Sequence, residues 1–163
     1  MLRLTGLILS LSLNWIGAGY ASPSCSLSSG LIVYGKQQRL LVCENSRVIH
    51  DFRVALGTRG LGKTRALDKK TPLGLYDLGQ ARPSNRFGTF IPIAYPTPQQ
   101  VKQGYTGSAV GIHGPYWLFG LAGELNTWFN WTQGCVALAS QAEISTLALW
   151  LKQNPEAKIL LQP

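Results

Sequence analysis

The sequence predicts a mostly-β domain with one well-marked helix, and three observations carry that expectation. Eighteen glycines and nine prolines in 163 residues demand many turns, which favours short strands over a helical bundle. Runs rich in branched residues recur along the chain, each bounded by turn residues. One stretch, from Ser140 onward, combines a helix-start signal with apolar residues at the helical period.

Taken in order, Leu31-Ile32-Val33-Tyr34 and Arg39-Leu40-Leu41-Val42-Cys43 read as two strands joined by the turn Gly35-Lys36-Gln37-Gln38. Glu44-Asn45-Ser46 turns the chain into a longer strand, Val48 to Leu56. Gly57 to Lys70 is rich in glycine and lysine with little apolar content, which predicts a long exposed loop. Thr71-Pro72-Leu73-Gly74 begins as a turn and becomes a strand through Leu78, and a basic loop is expected over Gly79 to Arg86. Phe87 to Tyr95 reads as strand, ended by Pro96 and Pro98. A polar stretch then leads to Ala109 through His113, a strand running into a turn at Gly114. Ser140 and Glu143 form a capping-box pattern. Ile144, Leu147, Ala148 and Leu151 follow on one face, and Asn154-Pro155 stops the helix, which places it near residues 141–153. Lys158 to Leu161 reads as a closing strand.

The length suits a single domain able to bury a sizeable core. The first 21 residues carry Arg3, an apolar run and a small-residue close at Gly19-Tyr20-Ala21, the pattern of a cleaved export signal. That run is interrupted by Thr5, Ser10, Ser12 and Asn14 and is short for a bilayer span, which needs about 20 apolar residues. The expectation is a signal over 1–21 and one domain over 22–163, exported to the periplasm or cell envelope without stable membrane insertion. The net charge of +8 favours an anionic partner. The basic residues are scattered and no nucleic-acid motif accompanies them, so no nucleic-acid partner is expected.

Export implies an oxidising compartment, where three cysteines cannot all pair within one chain. A bridge between Cys25 and Cys43, both early in the mature chain, would leave Cys135 free. The chemical inventory is otherwise short. With two histidines and seven carboxylates, no cluster has metal-ligand spacing and no two carboxylates are paired for glycosidase work. Cys135 follows Gly134, and a glycine there lets backbone approach a substrate and leaves the Gly134 and Cys135 amides available to an oxyanion. A thiol needs a neighbouring base, and only His50 and His113 are on offer. His50, beside Asp51 in an alternating strand, reads as a satisfied histidine. On the residues alone His113 fits a core histidine as well as a base, and Cys135 fits a buried small hydrophobe as well as a nucleophile.

Gly111-Ile112-His113-Gly114 followed by Thr132-Gln133-Gly134-Cys135-Val136-Ala137-Leu138 resembles the catalytic signature of the L,D-transpeptidase (YkuD-type) family. The likeness extends upstream to Arg39-Leu40-Leu41-Val42, to Ala55-Leu56-Gly57 and to Lys70-Thr71-Pro72-Leu73-Gly74-Leu75-Tyr76. The resemblance implies a β-sandwich and an enzyme that attacks peptidoglycan stem peptides, forms a cysteine thioester and passes the acyl group to an amine. It casts Cys135 as nucleophile, His113 as base and the Gly114 carbonyl as the group that orients the imidazole. Gly134 lies in the oxyanion-binding stretch, flanked by Gln133, Thr132 and Trp131 as substrate contacts, and no metal or organic cofactor is implied.

Two positions depart from the commonest family signature: Gln133 stands where histidine is usual, and Ala137 where arginine or asparagine is frequent. Gln133 can donate a hydrogen bond but carries no proton, so acid–base work falls to His113. The cation for a substrate carboxylate then has to come from a loop, with Lys63, Arg65 and Arg86 as candidates. The aromatic stretch between the two signatures is either a core flap or a cleft wall. Two further readings stay open: a hydrolase using the same Cys–His pair with water as acceptor, and a wall-binding module without turnover.

Overall fold

The computed structural model describes residues 24–116, 118 and 123–163. The expected export signal over 1–21 lies outside the described residues. Among the described residues nine strands form one curled sheet: β1 (Ser29–Tyr34), β2 (Arg39–Glu44), β3 (Arg47–Ala55), β4 (Gly74–Asp77), β5 (Arg82–Ser84), β6 (Gly88–Pro92), β7 (Gly111–His113), β8 (Val136–Leu138) and β9 (Lys158–Gln162). Their spatial order is β4-β9-β1-β2-β3-β8-β7-β6-β5. β1 with β9 and β7 with β8 run parallel, and the other pairs are antiparallel.

β3 is where the sheet turns. Its first residues pair with β2, while Val54 and Ala55 at its end pair with Leu138 and Ala137 of β8. Its burial changes along the same path, from an exposed start to a buried end. The two halves of the curl therefore face one core, in which Leu31, Val42 and Ile159 from one half meet Ile91, Ile112 and Leu138 from the other. This is the mostly-β architecture that the turn-rich composition predicts, curled as the sandwich that the family resemblance implies.

β1 and β2 are apolar without alternation because both their faces are covered. Their second face carries Ile32, Leu41 and Cys43, closed over by Cys25, Leu27, Tyr34 and Leu160. A disulfide joins Cys25 to Cys43, with Cα atoms 5.7 Å apart. It pins the start of the described chain to the sheet and leaves Cys135 as a free thiol.

The helix α2 spans Gln141–Gln153, the range read from the sequence. Its capping box is formed: the Glu143 amide donates to Ser140 Oγ, and Glu143 Oε2 accepts from the Ser140 amide. Ile144, Leu147 and Trp150 are buried, while Ala148 and Leu151 pack at the edge of the core. Trp150 was not on the expected apolar face; its ring is buried and its Nε1 donates to Glu44.

Three segments differ from expectation. The basic loop over 79–86 contains β5, an edge strand that pairs only with β6 and so tolerates Pro83. The polar stretch after Tyr95 contains a short helix, α1 (Pro98–Lys102), capped by Thr97 and Gln100 and burying no residue. The loop over 57–70 is not freely exposed. Asp68 gathers it, accepting from the Thr64, Arg65 and Lys70 amides and from Lys63 Nζ. Burial alone would raise the Asp68 pKa, but these donors overcome it and hold the carboxyl far below the ordinary range.

Candidate active site

β7 and β8 lie side by side and parallel, with His113 in register with Ala137. This register brings His113, the last residue of β7, alongside the chain entering β8, where Cys135 stands. Both side chains line one cleft of about 670 Å³, together with Arg82, Arg86, Phe87, Tyr116, Trp131 and Gln133 among others.

His113 is 1% exposed. Its Nδ1 lies 2.6 Å from the Gly114 carbonyl. A carbonyl can only accept, so Nδ1 carries the proton and Nε2 is left with its lone pair. The ring is stacked on Phe87, centroids 3.9 Å apart, and lies near Phe90 and Trp131. Burial among these rings pushes the His113 pKa down to about 4, helped by the Arg86 charge and opposed by the Gly114 hydrogen bond. The imidazole is therefore neutral at ordinary pH.

Cys135 is partly buried. Burial raises its pKa, while the Gly111 amide and the Lys63 charge pull the other way. Its thiol donates to the Ala109 carbonyl at 3.6 Å. Ala109 holds a left-handed backbone, φ 57°, a conformation that costs a non-glycine residue roughly 1–2 kcal/mol. That strained residue supplies the carbonyl facing the thiol. The resting pair is thus a neutral thiol and a neutral imidazole.

The turn before Cys135 is built by Thr132. Its hydroxyl accepts from the Gly134 amide at 3.0 Å and donates to the Cys135 carbonyl at 2.7 Å. Thr132 also bridges to the end of β3: its amide donates to the Leu56 carbonyl, and its carbonyl accepts from Thr58. The Gly134 amide donates to Thr132 in this arrangement. Backbone and space both require glycine at 134: φ is +127°, and a Cβ would sit 2.5 Å from the Lys70 carbonyl oxygen.

The other expected residues distribute clearly. Gln133 is exposed at the cleft, and Trp131 lines it while donating from Nε1 to the Asn126 carbonyl. His50 lies away from the cleft, stacked on Phe52. Of the three candidate cations, Lys63 is 4% exposed and tied to Asp68 and the Arg65 carbonyl. Arg65 does not line the cleft, and Arg86 does. In the aromatic stretch, Tyr116 and Trp131 form cleft wall, whereas Trp128 and Phe129 are exposed.

Sequence reasoning missed Phe87, Arg82 and Gln141. Gln141 opens α2 and donates to the Phe87 carbonyl at 2.8 Å. A Cβ on Gly114 would lie 2.6 Å from its Nε2. Glycine at 114 therefore makes room for the amide that anchors the residue stacked on His113. The capping box over Ser140 marked where this helix starts, but nothing nearby marked Gln141 as a contact.

A model of the L,D-transpeptidase catalytic domain (YkuD) matches residues 28–159. The chain belongs to this family. Solved structures share the fold. The helical cell shape determining protein Pgp2 from Campylobacter jejuni is 23% identical with a TM-score of 0.64, covering 81% of this chain and 46% of that one. Bd1075 from Bdellovibrio bacteriovorus is 22% identical with a TM-score of 0.57, covering 82% and 47%. An L,D-transpeptidase from Mycobacterium smegmatis is 14% identical with a TM-score of 0.53, covering 82% and 58%. The likeness to these structures is one of fold, and the chain spans about half the length of each. A search of curated protein sequences finds no match. Among the described residues no helix is long and apolar enough to cross a membrane, and no group of three or more His, Cys, Asp or Glu could hold a metal ion.

Proposed function

We propose that this chain is an exported cysteine acyltransferase of the L,D-transpeptidase type, acting on the peptide stems of peptidoglycan. The observation that carries the reading is the shared cleft, lined by a free thiol and by an imidazole whose Nδ1–H is held by the Gly114 carbonyl. Nε2 of His113 takes the Cys135 proton as sulfur attacks the donor carbonyl. Because both groups rest neutral, proton transfer accompanies attack and no standing ion pair is needed. The developing oxyanion is held by the Cys135 amide, since that of Gly134 is engaged. His113 then returns the proton to the leaving amine, and the thioester remains. An acceptor amine attacks it, gives its proton to Nε2, and the released thiolate recovers that proton.

Trp131, Thr132 and Gln133 flank the reacting carbonyl on this reading and contact the donor peptide. Residues 1–21 serve as export signal and 22–163 as the catalytic domain. The Cys25–Cys43 bridge supports an oxidising compartment, and peptidoglycan lies outside the cytoplasm. Side chains and backbone amides carry every step of the proposed reaction.

The test is incubation of the mature protein with purified muropeptides, with products weighed by mass spectrometry beside Cys135→Ala. Joined stems are expected from the wild type and none from the variant. Trimmed stems alone assign water as the acceptor, and identical profiles from both proteins contradict the reading.

A further inference from the structure

A buried charge with no part in the proposed reaction lies beneath the turn that carries Cys135. Lys63 is 4% exposed and does not line the cleft. Its methylenes run between two glycine-bearing segments. A Cβ on Gly134 would lie 3.8 Å from Lys63 Cδ, and one on Gly107 would lie 3.2 Å from its Cε. Gly134 leads into Cys135, and Gly107 leads to Ala109, whose carbonyl accepts from the thiol. Thr106 ties that second segment to the same loop: its amide donates to the Thr64 carbonyl, and its hydroxyl accepts from the Ala66 amide. Both backbone segments that meet the thiol therefore rest on the loop carrying Lys63.

Taking an ammonium out of water is unfavourable, and a methionine would fill the same space without that penalty. The loop has other means of order, since Asp68 already accepts from the Thr64, Arg65 and Lys70 amides. Lys63 Nζ adds one bond to Asp68 and one to the Arg65 carbonyl. Burial opposes charge on the Cys135 sulfur, while the Gly111 amide and the Lys63 charge favour it. The neighbouring titratable groups act elsewhere. His113 is neutral across the cleft, and the Arg86 charge falls on that imidazole. The Tyr95 hydroxyl donates to the Lys63 carbonyl and is kept neutral by burial, its pKa raised to about 12.

We propose that Lys63 is a positioning residue for Cys135, its ammonium stabilising the negative charge that sulfur carries during attack and again on release. Asp68 holds that ammonium in place and partly offsets its charge. The proposal rests on the acyl-transfer reading of the cleft and adds to it the charge that stands behind the nucleophile.

The test reads the thiol itself, as the rate of Cys135 alkylation by iodoacetamide across pH. Wild type, Lys63→Met and Lys63→Met/Asp68→Asn are compared. The single variant keeps the side-chain length but leaves the Asp68 carboxylate uncompensated, so its thiol should titrate highest. The double variant removes both charges and should titrate between the single variant and the wild type. At about pH 7 the single variant should react roughly three- to thirtyfold more slowly than the wild type. A purely structural role predicts another order, because the double variant disturbs the loop more than the single one does. A Lys63→Met midpoint equal to that of the wild type, or a double variant titrating no lower than the single, overturns the proposal. Each protein is first shown to unfold in one urea transition. Should the single variant not fold, the double variant decides, and a wild-type midpoint there overturns the proposal. Alkylation needs no peptide, so the two readings separate. Shifted midpoints without turnover of muropeptides by the wild type leave Lys63 its role and remove the transferase reading. Joined stems with unmoved midpoints do the reverse.

Discussion

At the scale of single residues, the Thr132 hydroxyl and the His113 ring make separable predictions. Thr132→Val keeps the shape but strands the Gly134 amide and the Cys135 carbonyl, so it should cost roughly 1–3 kcal/mol in urea unfolding. Thr132→Ser should recover most of that loss; a valine variant as stable as the wild type would contradict the assigned bonds. His113→Gln should lower kcat/KM by about a hundred- to ten-thousandfold, the usual worth of a positioned base. Because the His113 pKa is pushed down to about 4, the acid limb of kcat/KM should lie there, well below the ordinary 6.5. As pH falls through that value the imidazole gains a proton and can no longer accept one from the thiol. Stability follows the same group. Between 6.5 and about 4 the unfolded chain binds a proton that the folded chain refuses, so stability falls as pH drops through that window and is flat above it. A kinetic limb at 6.5 or higher would show a solvated His113. That Cys135 and His113 line one cleft was legible only through the motifs they stand in, because on the residues alone each also fits a buried structural role. Phe87 and Gln141 were not legible, since phenylalanine and glutamine are common and their contacts come from segments distant in sequence.

At the scale of elements, α2 shows what local pattern conveys. Its cap, its apolar face and its stop all lie within the segment itself, so its range was readable. Ser140→Ala should cost about 1 kcal/mol by loss of the cap, measurable as a lower urea midpoint with unchanged slope. No change would mean that Glu143, which also accepts from the Ala139 amide, holds the helix start alone. The elements that escaped prediction are those whose stability comes from elsewhere. β5 is Arg-Pro-Ser, a poor strand composition that exists only by pairing with β6. β8 spans three residues, too few for a period to appear, and is defined by its neighbours β3 and β7. The loop over 63–70 is ordered by one carboxylate accepting amides at irregular spacing, which no periodicity announces.

Across the whole molecule, the disulfide and the cleft occupy different parts of the fold. The Cys25–Cys43 bridge closes the outer face of β1 and β2, whereas Cys135 precedes β8 on the other half of the curl. Replacing both bridge cysteines by serine should lower stability by roughly 2–4 kcal/mol, as for other native bridges. The iodoacetamide reactivity of Cys135 should be unchanged. A large change in that reactivity would show that the two halves of the curl are coupled. The fold class was legible from composition because turn density and short branched runs are properties of the whole chain. The curl was not, since it depends on β3 changing partners at its last two residues, an event with no local mark beyond its length.

The central claim, that Cys135 is acylated in this cleft, is tested most directly by intact-mass measurement after exposure to a carbapenem, whose strained carbonyl a thiol can open. One adduct mapping to Cys135, absent from Cys135→Ala and slowed in His113→Gln, is the predicted result. No adduct on the wild type, or an adduct that persists in Cys135→Ala, would contradict it.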